Sequence, residues 1–133
     1  MRRSTSSYPP DWPEIARRVK EEAGWACVRC SHTHEPASGH TLTVHHLDLS
    51  PANCRWWNLA ALCQRCHLQI QAKVVLERPW VMAEHTAWFR PYAAGFYAFK
   101  YLGEDLTRAE VEARMDELLR VERRMVLGIG PQS

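Results

Sequence analysis

The residues best suited to chemistry are cysteines and histidines between positions 27 and 71 of this 133-residue chain. Two Cys-x-x-Cys pairs bracket a double histidine, and a further histidine directly follows the last cysteine. In chain order the residues are Cys27, Cys30, His45, His46, Cys63, Cys66 and His67. Thiolates and imidazoles are the side chains that bind transition metals, so the pattern supplies ligands for two different metal ions.

Four of the five cysteines predict a structural zinc ion. Two Cys-x-x-Cys pairs far apart in sequence are typical of tetrahedral zinc sites, and Cys27/Cys30 and Cys63/Cys66 fit this pattern. The sequence has no apolar run long enough for a signal peptide or a membrane span, which predicts a cytoplasmic protein. Thiols stay reduced in that compartment, which favours metal over disulfides. The fifth cysteine, Cys54, is expected to be a small buried residue.

The histidines predict a second, reactive metal site. His45 and His46 lie at the end of a predicted strand, where neighbouring side chains point to opposite faces, so one imidazole can bind metal while the other stays free. His67 is aimed sideways from the zinc-bound Cys66 because consecutive helical residues differ by about 100°. Phosphodiester hydrolysis needs this division: a base activates water, and a cation neutralises charge near the leaving oxygen. The other histidines, expected to be solvated or structural, are His32, His34, His40 and His85.

Taken together, these motifs resemble the HNH nuclease family, the ββα-metal finger nucleases. The matching segments are Cys27-x-x-Cys30, Val44-His45-His46-Leu47, Asn58-Leu59 and Leu62-Cys63-x-x-Cys66-His67. The resemblance implies that His46 is the general base and that His45 and His67 bind one divalent ion. It further implies that Asn58 hydrogen-bonds within the loop and holds the His46 ring in line.

The same resemblance implies cleavage of double-stranded DNA with low sequence selectivity, leaving 5′-phosphate and 3′-hydroxyl ends. Some family members carry another metal-binding histidine four residues after the position of His67, where this chain has Gln71. That departure favours Mg²⁺ or Mn²⁺ as the catalytic ion, because these ions keep several waters. Compact members are frequent in phages, some beside the DNA-packaging machinery, so that machinery is an expected partner and a bacterial or phage-infected cytoplasm the expected setting.

A formal net charge of +2 is low for a nucleic-acid-binding protein, and four zinc-bound thiolates lower it further. Contacts with phosphates must therefore come from local patches. Arg55, Arg65 and Lys73 are the candidates, with solvated charges as the alternative. Two other functions stay open. One is a non-catalytic zinc module that binds DNA or protein on the HNH scaffold. The other is an RNA nuclease, since the site attacks phosphorus and does not choose the sugar.

A small α+β fold is predicted to position these residues. Residues 1–10 are expected to form a flexible basic tail, residues 11–76 a zinc-stapled ββα-metal nuclease domain, and residues 77–133 a helical, aromatic-rich extension packed on the same domain.

Local signals predict the elements within these segments. A helix at residues 11–23 should be capped by Asp11, strands should span residues 42–46 and 59–62, and a further helix should span residues 63–76. In the extension, aromatic side chains are expected to fill a core. A capping box at Thr107 and Glu110 should open a helix that ends near residue 125.

Overall fold

The computed structural model of the chain describes residues 8–70 and 87–121. Within these ranges the protein is a small α+β fold with one two-stranded antiparallel sheet and five α-helices. The chain divides into two compact units, Met1–Val75 and Leu76–Ser133. In the described ranges, no helix combines the length and apolar character needed to cross a membrane. Most of the predicted basic tail, together with Gln71, Lys73 and His85, lies outside the described residues.

The first unit contains a helix, a β-hairpin and a second helix. These are α1 (Trp12–Glu22), β1 (Leu42–His46), β2 (Leu59–Cys63) and α2 (Gln64–Ile70), with 3₁₀ turns at Pro36–Ser38 and Trp56–Asn58. The strands pair antiparallel, with Leu42 opposite Cys63 and His46 opposite Leu59. This confirms the predicted hairpin, with β2 one residue longer than expected. Because α2 follows β2 without a loop, the hairpin and helix form a continuous β-β-α unit.

The helix predicted at residues 11–23 is present, but its predicted side-chain cap is wrong. Asp11 is the N-cap residue and makes no side-chain capping bond. Its backbone, at φ −94° and ψ 20°, does not take the extended conformation from which a cap side chain reaches the first turn. The Asp11 carbonyl instead accepts bonds from the backbone N–H groups of Glu14 and Ile15, both at 3.1 Å.

The core of the first unit centres on β2, all five residues of which are buried. Apolar side chains from the surrounding segments complete this core: Leu42, Leu47, Trp57 and Ile70. Because every side chain of β2 is packed, a shift of its register would displace the surrounding core side chains as well. The hairpin is therefore a rigid support for the histidines of β1.

The second unit contains α3 (Arg90–Leu102), α4 (Arg108–Ala113) and α5 (Met115–Val121). Its buried aromatic side chains confirm the predicted core: Phe89, Tyr92, Phe96 and Tyr97. The predicted capping box is also confirmed. Thr107 Oγ1 accepts from the Glu110 backbone N–H at 3.2 Å, and Glu110 Oε1 accepts from the Thr107 backbone N–H at 2.8 Å.

The single helix predicted from this capping box to residue 125 is wrong within the described range. α4 ends at Ala113, and Arg114 lies between the two helices with φ −120° and ψ 24°. The Arg114 guanidinium bonds Glu104 at 3.0 Å and Glu117 at 2.7 Å. An arginine held between carboxylates on both sides of the break favours two short helices. Residues 122–125 lie outside the described range.

Candidate metal centres and histidine site

The four cysteines predicted to bind zinc lie together. The Sγ atoms of Cys27, Cys30, Cys63 and Cys66 are all within 4.8 Å of one another. Those of Cys30 and Cys63 are 3.8 Å apart. A tetrahedral zinc ion with Zn–S bonds of about 2.3 Å places its sulfurs about 3.8 Å apart. The cluster can therefore hold a structural metal such as zinc.

Backbone N–H groups surround the sulfurs as they do in zinc knuckles. Cys27 Sγ accepts from the N–H groups of Arg29 and Cys30 at 3.4 and 3.5 Å, and Cys63 Sγ accepts from Cys66 at 3.5 Å. Burial raises the pKa of Cys27, but hydrogen bonds outweigh it and lower the pKa to about 7. Burial raises the pKa of Cys66 to about 12. Since zinc binds thiolates, metal uptake must release protons from this cluster.

Two of the predicted ligands for a catalytic ion, His45 and His67, lie next to each other. Their ring centroids are 4.5 Å apart, with His45 on β1 and His67 on α2. His45 is only 5% exposed, and its Nε2 has no hydrogen-bond partner among the described residues. Burial, and then the nearby His67 and His46, lower the pKa of His45 to about 4. Burial also lowers the pKa of His67. Both rings are therefore neutral near pH 7, and a buried imidazole nitrogen without a partner fits a metal ion.

A residue that sequence reasoning missed, Thr43, orients His67. Thr43 Oγ1 donates to the Leu62 carbonyl at 2.8 Å and contacts His67 Nδ1 at 3.2 Å. The hydroxyl has one hydrogen, and it donates that hydrogen to the carbonyl. The contact with His67 therefore requires an N–H on Nδ1 that donates to Oγ1. This leaves the Nε2 lone pair of His67 available for a metal ion. Thr43 lies two residues before His45 and thus on the same face of β1, which is a signal that the sequence does contain.

The predicted general base, His46, lies on the opposite face of β1 under two aromatic rings. The ring centroids of Trp12 and Tyr8 are 4.8 and 5.8 Å from that of His46. His46 is 8% exposed, and its Nε2 is buried without a hydrogen-bond partner among the described residues. Burial lowers the pKa of His46, while the Asp48 charge and a hydrogen bond to the Pro51 backbone oppose that shift. The imidazole is thus neutral near pH 7 but covered by the N-terminal segment.

Asn58 is fully buried and closes the loop between the two strands. Its Oδ1 accepts from the Asp48 N–H at 2.7 Å, and its Nδ2 donates to Asp48 Oδ1 at 2.9 Å and to the Asn53 carbonyl at 2.8 Å. Asp48 Oδ2 also accepts from Asn53 Nδ2 at 2.7 Å. The bonds described for the Asn58 side chain all go to this loop, which confirms only the hydrogen bonding predicted within the loop. Asp48 is a second residue that the sequence analysis did not single out.

Of the three predicted phosphate contacts, two lie within the described residues, Arg55 and Arg65. Arg55 is exposed and borders an open cleft of about 480 Å³ formed by the β1–β2 loop. The Arg65 guanidinium lies against Gly39, with Nε 3.2 Å from the place that a Cβ there would take. On α2, Arg65 and His67 are two residues apart and therefore about 200° apart around the helix. Lys73 lies outside the described residues.

Comparison of the chain with protein-family models, curated proteins and solved structures found no match. The structure itself defines a small α+β protein with a four-cysteine cluster that can hold a metal ion. The resemblance to HNH nucleases therefore rests on the motifs of the sequence.

Proposed function

We propose that this protein is a metal-dependent endonuclease of the HNH type that hydrolyses phosphodiester bonds in DNA. The observation that supports the proposal best is the pairing of His45 and His67, whose rings are 4.5 Å apart on a continuous β-β-α unit. His46 lies on the other face of the same strand, so metal binding and proton transfer are assigned to different imidazoles.

In this proposal His45 and His67 hold one divalent ion, Mg²⁺ or Mn²⁺. When bound, such an ion neutralises charge on the phosphate and on the leaving oxygen. Thr43 keeps the His67 proton on Nδ1 and so directs Nε2 to the ion. With zinc bound, the cysteine cluster joins the Cys27–Cys30 segment to the start of α2 and thereby fixes the position of His67.

His46 is the general base that takes a proton from the attacking water. Its hydrogen bond goes to the Pro51 backbone, which offers only a carbonyl, and Nε2 has no partner among the described residues. Nδ1 therefore carries the ring proton, and Nε2 has the free lone pair. The buried bonds of Asn58 and Asp48 hold the loop that contains Pro51.

The cover over His46 favours a second candidate function, a zinc module that binds nucleic acid or protein without turnover. A base that activates water must reach it, yet Tyr8 and Trp12 lie against the His46 ring. The nuclease proposal therefore requires these two rings to move when substrate binds. The alternative requires no such movement.

Supercoiled plasmid separates the two candidates. We expect the zinc-loaded protein to nick the plasmid with Mg²⁺ or Mn²⁺ and not in buffer without them. His46→Ala should reduce the rate at least ~100-fold, the usual contribution of a general base. His34→Gln is the matched control, because His34 accepts a bond from the Leu42 N–H and a glutamine can do the same.

Binding of plasmid without nicking would favour the non-catalytic module. Full activity of His46→Ala would refute the assigned base. A parallel assay with RNA of matched sequence identifies the substrate. Faster cleavage of RNA than of DNA would show that RNA is the target.

A further inference from the structure

A second group of metal-binding side chains lies between the first Cys-x-x-Cys pair and β1. It consists of His32, Glu35 and His40, whose ligand atoms are all within 4.8 Å of one another. We propose that these three residues bind a further transition-metal ion of the zinc class. The proposal is independent of the nuclease function, since it uses none of the residues assigned to catalysis.

His32 and Glu35 place two of the three ligand atoms opposite each other. His32 Nδ1 lies 2.8 Å from the Thr33 carbonyl, which only accepts, so Nδ1 carries a hydrogen. His32 Nε2 is therefore the ring nitrogen that can bind a metal ion, and it lies 3.5 Å from Glu35 Oε1. Either a proton on His32 Nε2 or a metal ion between these two atoms makes such a contact favourable. A tetrahedral zinc ion with bonds of about 2.1 Å to nitrogen and oxygen would separate them by about 3.4 Å.

Ser38 orients the ligand groups of Glu35 and His40. Its Oγ contacts Glu35 Oε1 at 3.0 Å and the Glu35 carbonyl at 3.2 Å, and it contacts His40 Nδ1 at 2.8 Å. Both Glu35 atoms only accept, so the single hydroxyl hydrogen goes to Glu35. The contact with His40 is then satisfied by an N–H on Nδ1, which leaves the His40 Nε2 lone pair free.

Backbone hydrogen bonds hold the main chains of Glu35 and His40 close together without metal. Glu35 and His40 exchange two backbone hydrogen bonds at 3.0 Å around the Pro36–Ser38 turn. Gly39 closes this turn at φ +80°, a conformation that side chains other than glycine rarely adopt. The carboxylate and the imidazole are thus brought together by a small closed loop, which lowers the entropic cost of binding an ion.

The two imidazole rings stack with centroids 3.5 Å apart and planes 3° apart. The nitrogen lone pairs lie in the ring planes, so the lone pairs of two parallel rings point in parallel planes and do not converge on one ion. Binding of one ion by both rings therefore requires one ring to rotate about χ2, which is broadly distributed for histidine, and to shift its Nδ1 contact with Thr33 or Ser38. Loss of the stacking on metal binding gives a direct spectroscopic signal.

Donor chemistry selects the kind of ion. Two imidazoles and one carboxylate are the ligand set of many zinc sites with an open fourth position. Arg65 opposes binding, since its guanidinium lies against Gly39 and its charge contributes, after burial and His32, to lowering the pKa of His40. Removal of this charge should therefore strengthen the site.

Equilibrium dialysis with Zn²⁺ tests the proposal, with bound metal counted by mass spectrometry. The starting protein is zinc-loaded and carries His45→Ala and His67→Ala, so that this histidine pair cannot bind the added zinc. We expect one zinc ion beyond the ion that the cysteines hold. In this background, His32→Ala or His40→Ala should weaken that extra binding at least tenfold. Arg65→Gln should strengthen it severalfold, and His34→Gln should leave it unchanged.

Nuclear magnetic resonance of the imidazole nitrogens keeps the test decisive if a variant folds poorly. Adding Zn²⁺ to the protein with unchanged His32 and His40 should shift their Nε2 signals and leave His34 unshifted. Extra zinc bound equally well without His32 and His40 would overturn the proposal. Nε2 signals that change with pH but not with Zn²⁺ would also overturn the proposal. They would show that the His32–Glu35 contact binds a proton and not a metal ion.

Discussion

At the scale of single residues, hydrogen-bond partners decide which imidazole nitrogen is available. A carbonyl oxygen only accepts hydrogen bonds, so a histidine nitrogen that contacts it must carry a hydrogen. The same holds for a histidine nitrogen that contacts a hydroxyl whose own hydrogen is donated to a carbonyl. His67 is fixed through Thr43, and His46 is fixed by Pro51. The nitrogen that remains without a proton is the one that can bind metal or take a proton from water.

Replacing Thr43 tests this account at His67. Thr43→Val keeps the shape but leaves the Nδ1–H of His67 without its acceptor. Because partners of metal-binding histidines contribute ~10–100-fold to metal affinity, we expect Mn²⁺ binding to weaken by about tenfold. Thr43→Ser restores the hydroxyl and should restore most of the affinity. Calorimetric titration with Mn²⁺ gives the result, and equal affinity of the valine variant and the original protein would contradict the assigned role.

Burial of His45 predicts how stability changes with pH. Its pKa is lowered to about 4 in the folded protein, by burial first and then by His67 and His46. Below pH 6.5 the unfolded state therefore binds more protons than the folded state. The free energy of unfolding should fall as pH decreases from about 6.5 to about 4, by up to ~1.4 kcal/mol per pH unit for this one group.

Urea unfolding of the zinc-loaded protein at pH 7 and pH 5, without added Mg²⁺, measures this dependence. His45→Gln removes the titrating group and should make the dependence shallower by about the contribution of one histidine. Identical pH dependence of the two proteins would show that His45 is free to take a proton in the folded state.

At the scale of elements, the N-terminal segment and α1 control access to His46. Tyr8 and Trp12 lie against its ring, and Tyr8 contacts Trp12 with centroids 5.2 Å apart. We expect Tyr8→Ala or Trp12→Ala to increase the rate at which diethyl pyrocarbonate modifies His46 severalfold, as measured by peptide mapping. Trp25→Ala is the matched control, because the Trp25 ring contacts His34 instead. An unchanged rate at His46 in both variants would show that these rings do not limit access.

Local sequence signals predict the helices and strands that carry the site. They do not predict which side chains cover the site residues. Alternation in residues 42–46 predicts β1, and the adjacent cysteine motif predicts where β2 passes into α2. The contact of Trp12 with His46 joins residues 34 positions apart and depends on tertiary packing, which no local pattern contains. The break at Arg114 has a similar cause, since it involves Glu104 as well as the neighbouring Glu117. Sequence thus predicts which residues bear chemistry better than it predicts their exposure.

At the scale of the whole molecule, the two compact units have different sources of stability. The unit at Met1–Val75 contains the four clustered cysteines, which could hold a metal ion between residues 27–30 and residues 63–66. The unit at Leu76–Ser133 has its own core of aromatic and aliphatic side chains on α3, α4 and α5. Since metal binding to such sites is coupled to folding, zinc should stabilise the first unit far more than the second.

Zinc removal from the full chain tests this difference. After treatment with a strong chelator at neutral pH, we expect amide hydrogen exchange in β1, β2 and α2 to increase by orders of magnitude. Amides within α3 should keep most of their protection, because their helix packs in the core of the second unit. Cys63→Ser should reproduce the chelator effect, whereas Cys54→Ser should not, since Cys54 lies outside the cluster. Equal loss of protection in both units on chelation would show that they fold as one, and unchanged protection in β2 would show that the hairpin does not depend on the metal.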